Sequence, residues 1–251
     1  MTEPNGIVAL HGFTGRGSDF APLQALCPES GHWCSPDLPG HGPSPSGDCG
    51  PQAAIDCINR AAGEYPHCRI LLGYSMGGRA ALLHALSRPD RWDGLVLIGT
   101  NPGISNPVQR SNRAKEDAIL AQRIQCDGLD AFLRHWQEQP LIASQSAIDP
   151  EWRAGMQAAR MKHSACGLAQ SLRQFGQGSI PDLWPELSTI RCPVLLLTGA
   201  LDQKYTAIAE KMLLLLPAAI HRILPAAGHM AHIESPGAAA DAIRTFLREF
   251  A

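Results

Sequence analysis

Short apolar runs recur along the chain, with helical spacing of apolar positions between most of them. Gly6–Leu10, Trp33–Ser35, Ile70–Leu72, Gly94–Ile98, Pro193–Thr198 and Ile220–Leu224 read as strands. Gly94-Leu-Val-Leu-Ile98 is apolar throughout, the pattern of a parallel strand buried on both faces. Ser18–Leu26 reads as a helix with Ser18 as its N-cap. Gln52–Gly63 is a second helix, with Ala53, Ala54, Ile55, Ile58 and Ala61 to one side. Helices also follow Ser75 and cover Ala207–Leu216 and Pro236–Phe250. Strands that alternate with helices predict an α/β fold, a mostly parallel sheet with helices on both faces. From Ile104 to about Leu187 the strand pattern vanishes. That stretch is helical, polar and rich in Arg and Gln, with breaks at Gly128, Pro140, Pro150 and Gly176. It is expected to be an inserted helical lid, residues 104–187, over a core made of 1–103 and 188–251. The Pro/Ser/Gly-rich stretch Pro43–Gly50 is expected to be an exposed connection.

A length of 251 residues suits one such domain with an insert. At 45% hydrophobic and 18% charged, the chain can fill a core. Its formal net charge of −2 gives no reason to expect nucleic acid or an anionic membrane as partner. No run approaches the ~18 apolar residues of a membrane span. The opening Met-Thr-Glu-Pro-Asn-Gly lacks the basic-then-apolar pattern of a signal peptide. A cytoplasmic protein, monomeric or weakly self-associating, is the expectation. Its eight cysteines (27, 34, 49, 57, 68, 126, 166 and 192) form no Cys-x-x-Cys pair and read as free thiols.

The candidate chemistry starts at Gly73-Tyr-Ser75-Met-Gly77. A strand that turns at once into a helix leaves Ser75 at a strained apex, with its hydroxyl at the carboxyl edge of the sheet. The flanking glycines allow strand and helix to approach closely. The Met76 amide, in the first helical turn, points to where negative charge would develop. Asp202 follows the strand Pro193–Thr198, and His229 follows Ile220–Leu224. Ser, Asp, His is the chain order of α/β-hydrolases. Serine needs histidine to take its proton, and histidine needs a carboxylate to fix its tautomer. Phe13, after His11-Gly12, offers a second oxyanion amide. Asp182 and Asp149 compete as the acid but fall in the lid or its exit. His11 reads as a turn residue that bonds locally rather than as a base. His229-x-x-His232 lies in a loop with no glutamate following His229, so no metal is expected there.

Arginine is the second signal. Arg79 lies one helical turn after Ser75, so it can stand beside the hydroxyl. The lid carries Arg110, Arg113, Arg123, Arg134, Arg153, Arg160 and Arg173. Arginine grips carboxylates bidentately, so a small anionic substrate fits this lid better than a lipid ester. The plainer alternative is solvated helix faces that pair with Glu116, Asp117 and Glu138.

His11-Gly-Phe-Thr-Gly15, Asp37-Leu-Pro-Gly-His-Gly42, Gly73-Tyr-Ser-Met-Gly-Gly-Arg79 and Gly228-His-x-Ala-His-x-Glu-x-Pro236 together resemble the α/β-hydrolase superfamily. More narrowly, the chain is similar to the 2-succinyl-6-hydroxy-2,4-cyclohexadiene-1-carboxylate synthases of menaquinone and phylloquinone biosynthesis. The narrower likeness adds Asn101-Pro-Gly-Ile, Gln109–Arg113, Trp136-Gln-Glu-Gln-Pro140, and Arg160 ahead of Leu168-Ala-x-x-Leu172. It implies an α/β-hydrolase fold and a pyruvate-eliminating carbon–oxygen lyase without cofactor. Ser75, Asp202 and His229 fall on the family's triad. Tyr74, Arg79, Arg113, Trp136 and Arg160 fall on its substrate-binding positions. Two departures stand out. The first strand begins at Gly6, so the family's antiparallel N-terminal hairpin is truncated or absent. Met161-Lys-His-Ser-Ala-Cys-Gly167 replaces the family's Asn-rich run.

Rival readings share the same triad. One is a carboxylesterase or thioesterase that is acylated on Ser75, with hydrolysis of a carbon–carbon bond beside a ketone as its close relative. Another is a ligand receptor without turnover. Arginines that face Ser75 favour the lyase, and an apolar tunnel favours the esterase.

Overall fold

A computed structural model describes residues 6–42 and 47–250. The six strands are β1 (Gly6–Leu10), β2 (Trp33–Cys34), β3 (Cys68–Tyr74), β4 (Gly94–Ile98), β5 (Val194–Gly199) and β6 (Ala219–Leu224). They form one sheet in the order β2-β1-β3-β4-β5-β6. Every neighbouring pair is parallel, so the described sheet is wholly rather than mostly parallel. From β1 the chain steps outward to β2 and then returns to β3 on the other side of β1. The crevice at such a reversal, beyond the carboxyl ends of the strands, is where open α/β sheets bind ligands.

Two layers of helices cover the sheet. Val8, Leu10, Leu71, Leu95, Leu97 and Leu196 face α2 (Pro51–Glu64), α3 (Met76–Ser87) and α9 (Gln203–Leu213). Ile7, Ala9, Leu72, Val96, Ile98 and Leu195 face α1 (Ala21–Ala25) and α11 (Pro236–Phe250). Strand side chains alternate between faces, so apolar runs without alternation need cover on both sides, and they have it. β6 is one of the two edge strands of the described sheet and leaves Arg222 and Ile223 exposed. The short α10 (Ala231–Glu234) lies just before α11.

Between β4 and β5 the chain forms α4 (Pro107–Asp127), α5 (Leu129–Gln137), α6 (Pro140–Ala143), α7 (Pro150–Arg160) and α8 (Ala165–Phe175). The breaks at Gly128, Pro140, Pro150 and Gly176 fall at helix ends, as expected. Asn106, Asp149 and Ser164 cap α4, α7 and α8 through their side chains. Ala121, Ile124, Phe132, Leu133, Leu168 and Leu172 give this insert its own apolar cluster. No described helix is long and apolar enough to cross a membrane.

Three local expectations need correction. Ser18 is not an N-cap. Gly17–Phe20 is a 3₁₀ turn entered from Arg16, whose amide donates to the Asp19 carboxylate, and α1 starts only afterwards, with Pro22 in its first turn. The helix read as Ala207–Leu216 begins at Gln203, because the Asp202 carboxylate caps it. Within Pro43–Gly50, Pro43–Ser46 lie outside the described residues. Gly47 and Asp48 are exposed. Cys49 is buried, and its amide donates to Gln174 Oε1 of α8, so that end of the connection runs beneath the insert.

Candidate active site

β3 ends at Tyr74 and α3 begins at Met76, so Ser75 alone makes the turn. Its φ of 52° and ψ of −106° are values that a residue with a Cβ rarely adopts. The glycines make this turn possible. A Cβ on Gly73 would sit 2.4 Å from the Gly77 carbonyl oxygen, and one on Gly77 would sit 2.1 Å from that of Leu10. The Ser75 amide donates to Ile98 O at 2.8 Å, which ties the apex to the end of β4.

The other two groups arrive from the ends of β5 and β6. His229 Nε2 lies 3.0 Å from Ser75 Oγ, and His229 Nδ1 lies 2.7 Å from Asp202 Oδ2. The second oxygen of Asp202 accepts the Tyr205 amide at 3.2 Å. Asp202 and His229 are buried, and Ser75 is half-exposed. These contacts have the geometry for passing a proton from a hydroxyl to an imidazole whose Nδ1–H a carboxylate holds. Asp182 instead accepts its own neighbour's amide, from Trp184, and Asp149 caps α7. Neither is placed to serve His229.

The loop that carries His229 is fixed by a residue that sequence reasoning quoted only as part of a motif. Glu234 accepts the amides of Gly228 at 2.6 Å and Met230 at 3.0 Å, on either side of His229. Ser144 Oγ, from the insert, also donates to it. His232 lies against Phe20 and Tyr74, with ring centroids 5.3 and 4.8 Å away, and neither of its ring nitrogens has a hydrogen-bond partner. Burial lowers its pKa to about 3, so it stays neutral. His11 behaves as expected of a turn residue. Its Nδ1–H donates to Gly12 O, its Nε2 accepts the Leu38 amide, and burial lowers its pKa to about 4.

Phe13, Tyr74, Met76, Arg79, Arg113 and Trp136 line the same pocket as Ser75 and His229. The Trp136 ring stands edge-on to Phe13 at 5.4 Å. Burial holds the Tyr74 phenol well above its usual pKa, so it remains a neutral donor. The arginines divide sharply. Arg79 is buried; one of its terminal nitrogens donates to Phe175 O at 3.1 Å, and its Nε has no partner. Burial lowers its pKa to about 10, which leaves it a cation at neutral pH. Arg113 pairs with Asp117 at 2.8 Å and donates to Gln177 Oε1 at 3.1 Å, yet still reaches the pocket. Arg160 does not line it. It is buried one layer back, where it donates to Gln145 Oε1 at 3.0 Å and keeps an unpartnered Nε. Arg134 pairs with Asp130, Arg153 with Ser146 O and Arg173 with Gln125, all on exposed faces. Those three lie on solvated helix faces, but their partners are not the Glu116, Asp117 and Glu138 expected, and Asp117 pairs with Arg113 instead. Tyr205, whose ring lies 4.3 Å from His229, and Gln177, which donates to its hydroxyl, also line the pocket and were not foreseen. A tyrosine three residues after the acid is a usable signal for the first. Gln177 offers none.

A wholly parallel sheet, a strained serine between strand and helix, and partners at the ends of β5 and β6 define an α/β-hydrolase. The model of the alpha/beta hydrolase family matches residues 7–242, and the chain belongs to that family. Its relatives narrow this further. It is 33% identical to the 2-succinyl-6-hydroxy-2,4-cyclohexadiene-1-carboxylate synthase of Serratia proteamaculans, over 96% of this chain and 92% of that one. The synthase of the same name from Pectobacterium atrosepticum is 34% identical, over 96% and 93% of the two chains. Among solved structures, MenH from S. aureus superposes with a TM-score of 0.92 at 30% identity, covering 99% of this chain and 95% of that one. A thermophilic esterase from Thermogutta terrifontis superposes at 0.81 with 24% identity, over 98% and 90% of the two chains. That last likeness concerns the fold alone.

Proposed function

We propose that this protein is a carbon–oxygen lyase. It eliminates pyruvate from 5-enolpyruvoyl-6-hydroxy-2-succinyl-cyclohex-3-ene-1-carboxylate to give 2-succinyl-6-hydroxy-2,4-cyclohexadiene-1-carboxylate. The observation that carries the reading is Arg79: a buried cation with an unpartnered Nε, lining the pocket that holds Ser75. A buried charge without full pairing costs stability unless a ligand completes it. The substrate brings three carboxylates, whereas a neutral ester brings none. The synthase relatives make, by name, a succinyl-bearing cyclohexadiene carboxylate.

The chemistry follows from the contacts. His229 Nε2 accepts the Ser75 proton as Ser75 Oγ removes the proton α to the succinyl ketone. The electrons of that C–H bond form an enolate, whose oxygen is received by the amides of Phe13 and Met76. They then shift through the ring alkene and break the ether C–O bond. The enolpyruvate leaving group takes up a proton at carbon and departs as pyruvate. Asp202 stabilises the imidazolium in the meantime. Tyr74, Arg79, Arg113 and Trp136 hold the substrate; Arg160, which does not line the pocket, is outside this set. In this scheme residues 104–187 are a lid subdomain on a core of 1–103 and 188–251. Purified protein given the enolpyruvyl substrate should release pyruvate, read with a coupled dehydrogenase. Release no faster than without protein would end the proposal and leave the esterase, which uses the same three residues.

A further inference from the structure

Thr14 is β-branched and buried, yet its φ is 64°, the left-handed region that such residues avoid. Strain of this kind persists only where the surroundings over-determine it. Here a turn bond from the Gly15 amide to Gly12 O at 3.0 Å and two imidazoles together do so. The Thr14 amide donates to His41 Nε2 at 3.3 Å, and the Thr14 carbonyl accepts His163 Nε2–H at 2.9 Å. The Gly42 amide in turn donates to His163 Nδ1 at 2.9 Å. Amide N–H groups only donate and carbonyls only accept, so the partners force one neutral tautomer on His163. The same logic puts the His41 proton on Nδ1, which faces Pro39 O. The two rings meet edge to face at 5.4 Å.

His163 belongs to the insert, between α7 and α8, while Thr14 and Gly42 belong to core loops. The seam beside it is tight. A Cβ on Gly40 would come within 2.5 Å of the Gly167 carbonyl oxygen in α8. His163 therefore has a fixed post from which to hold Thr14, the residue directly after Phe13. It also lies in Met161–Gly167, the stretch where the sequence departs from the family pattern.

We propose that His163 is a positioning residue. By gripping both Thr14 O and Gly42 N, it holds the Phe13–Thr14 turn in the strained form that aims the Phe13 amide into the pocket. This rests on the oxyanion role given to Phe13 above. An oxyanion donor acts in the transition state, so its displacement lowers kcat rather than raising KM.

The test uses His163→Ala, Thr14→Gly and the double variant. His163→Ala should lower kcat for pyruvate release about 10- to 100-fold, part of what losing a whole donor costs, with KM within about twofold. Glycine carries no penalty at positive φ, so adding Thr14→Gly should bring kcat back to within about threefold of Thr14→Gly alone. Amide hydrogen exchange gives a readout that needs no substrate. In His163→Ala the Thr14 amide, which is bonded to His41 and not to His163, should exchange at least about tenfold faster, with β3 and β4 unchanged. The double variant should restore its protection. A kcat within twofold of wild type, a loss confined to KM, a defect that Thr14→Gly leaves unrepaired, or exchange that quickens equally in β3 and β4 would each overturn the proposal. If the wild-type protein released no pyruvate, the reaction would fall, and the exchange experiment would still decide whether His163 holds Thr14.

Discussion

The two walls of the pocket are built on different principles. The sheet wall carries Ser75, Asp202 and His229, each at the end of a parallel strand and each bonded to the next. The insert wall carries Arg113 and Trp136, whose positions depend on how helices pack, while Arg79 reaches the same pocket from α3 on the sheet side. The first arrangement is complete before any ligand arrives. The second is held by pairs within the insert and its exit, Arg113 to Asp117 and Gln177. Proton transfer requires groups already within hydrogen-bond reach, whereas recognition of a charged substrate requires hydrogen-bonding capacity left open.

The sheet wall should break most severely. Ser75→Ala should lower pyruvate release by about 10⁴-fold or more while the fold, followed by circular dichroism, stays intact. A variant that kept a tenth of wild-type activity would remove Ser75 from the mechanism. Asp202→Asn should cost about 10⁴-fold, because the amide leaves His229 in the wrong tautomer. Asp182→Asn, which touches only a local turn, should stay within about twofold of wild type; the reverse ranking of the two would move the acid elsewhere.

The cations that line the pocket should yield smaller, substrate-specific losses. Arg79→Ala and Arg113→Ala should each weaken pyruvate release by about 10- to 150-fold, the worth of one charge-assisted contact. Cleavage of a neutral nitrophenyl ester should hardly change. Arg79, one helical turn after Ser75, should act on kcat, and Arg113, already paired with Asp117, on KM. Equal losses with both substrates would show that these residues shape the pocket rather than read charge.

A separate expectation concerns stability rather than turnover. Burial lowers the pKa of His11 and of His84 to about 4, and that of His232 to about 3, from 6.5. The unfolded chain takes up these protons first. Stability is therefore full above pH 6.5 and falls as pH drops towards 4, by on the order of 1 kcal/mol per unit per imidazole. Asp19 has the opposite sign. Burial raises its pKa from 3.8 to about 6, so its contribution is present at low pH and is lost as pH rises through 6. Three imidazoles outweigh one carboxyl, so the urea midpoint should decline between pH 6.5 and 4. A flat profile would mean that water reaches these rings.

Most of the sheet wall was legible in the sequence, because backbone geometry dictates it. Ser75 must sit between Gly73 and Gly77 for strand and helix to meet, and that requirement is written locally. The insert was legible as helices with breaks at Gly and Pro, but not as a surface. Arg113 and Arg134 look alike in sequence, each with an aspartate four residues away; only the packing of α4 along α8 turns the first into the pocket. His163 and Gln177 were invisible as site residues, since their partners lie far off in sequence.

The sheet order also has a consequence for how the chain is made. β4 and β5 are hydrogen-bonded neighbours, with Leu95 opposite Val194, yet the whole insert is synthesised between them. At roughly 5–20 residues per second, an interval of about a hundred residues lasts some 5–20 s. During it Gly94–Ile98, an unbroken apolar strand, has emerged without the neighbour that will close its second edge. Unpaired apolar edges template wrong pairings. The insert's own apolar cluster lets it fold while the sheet waits, and closing so long a loop costs little more than closing a short one. The hazard of this architecture therefore falls on the ribosome-bound chain rather than on the finished protein, and a chaperone that covers β4 should raise the yield of folded product.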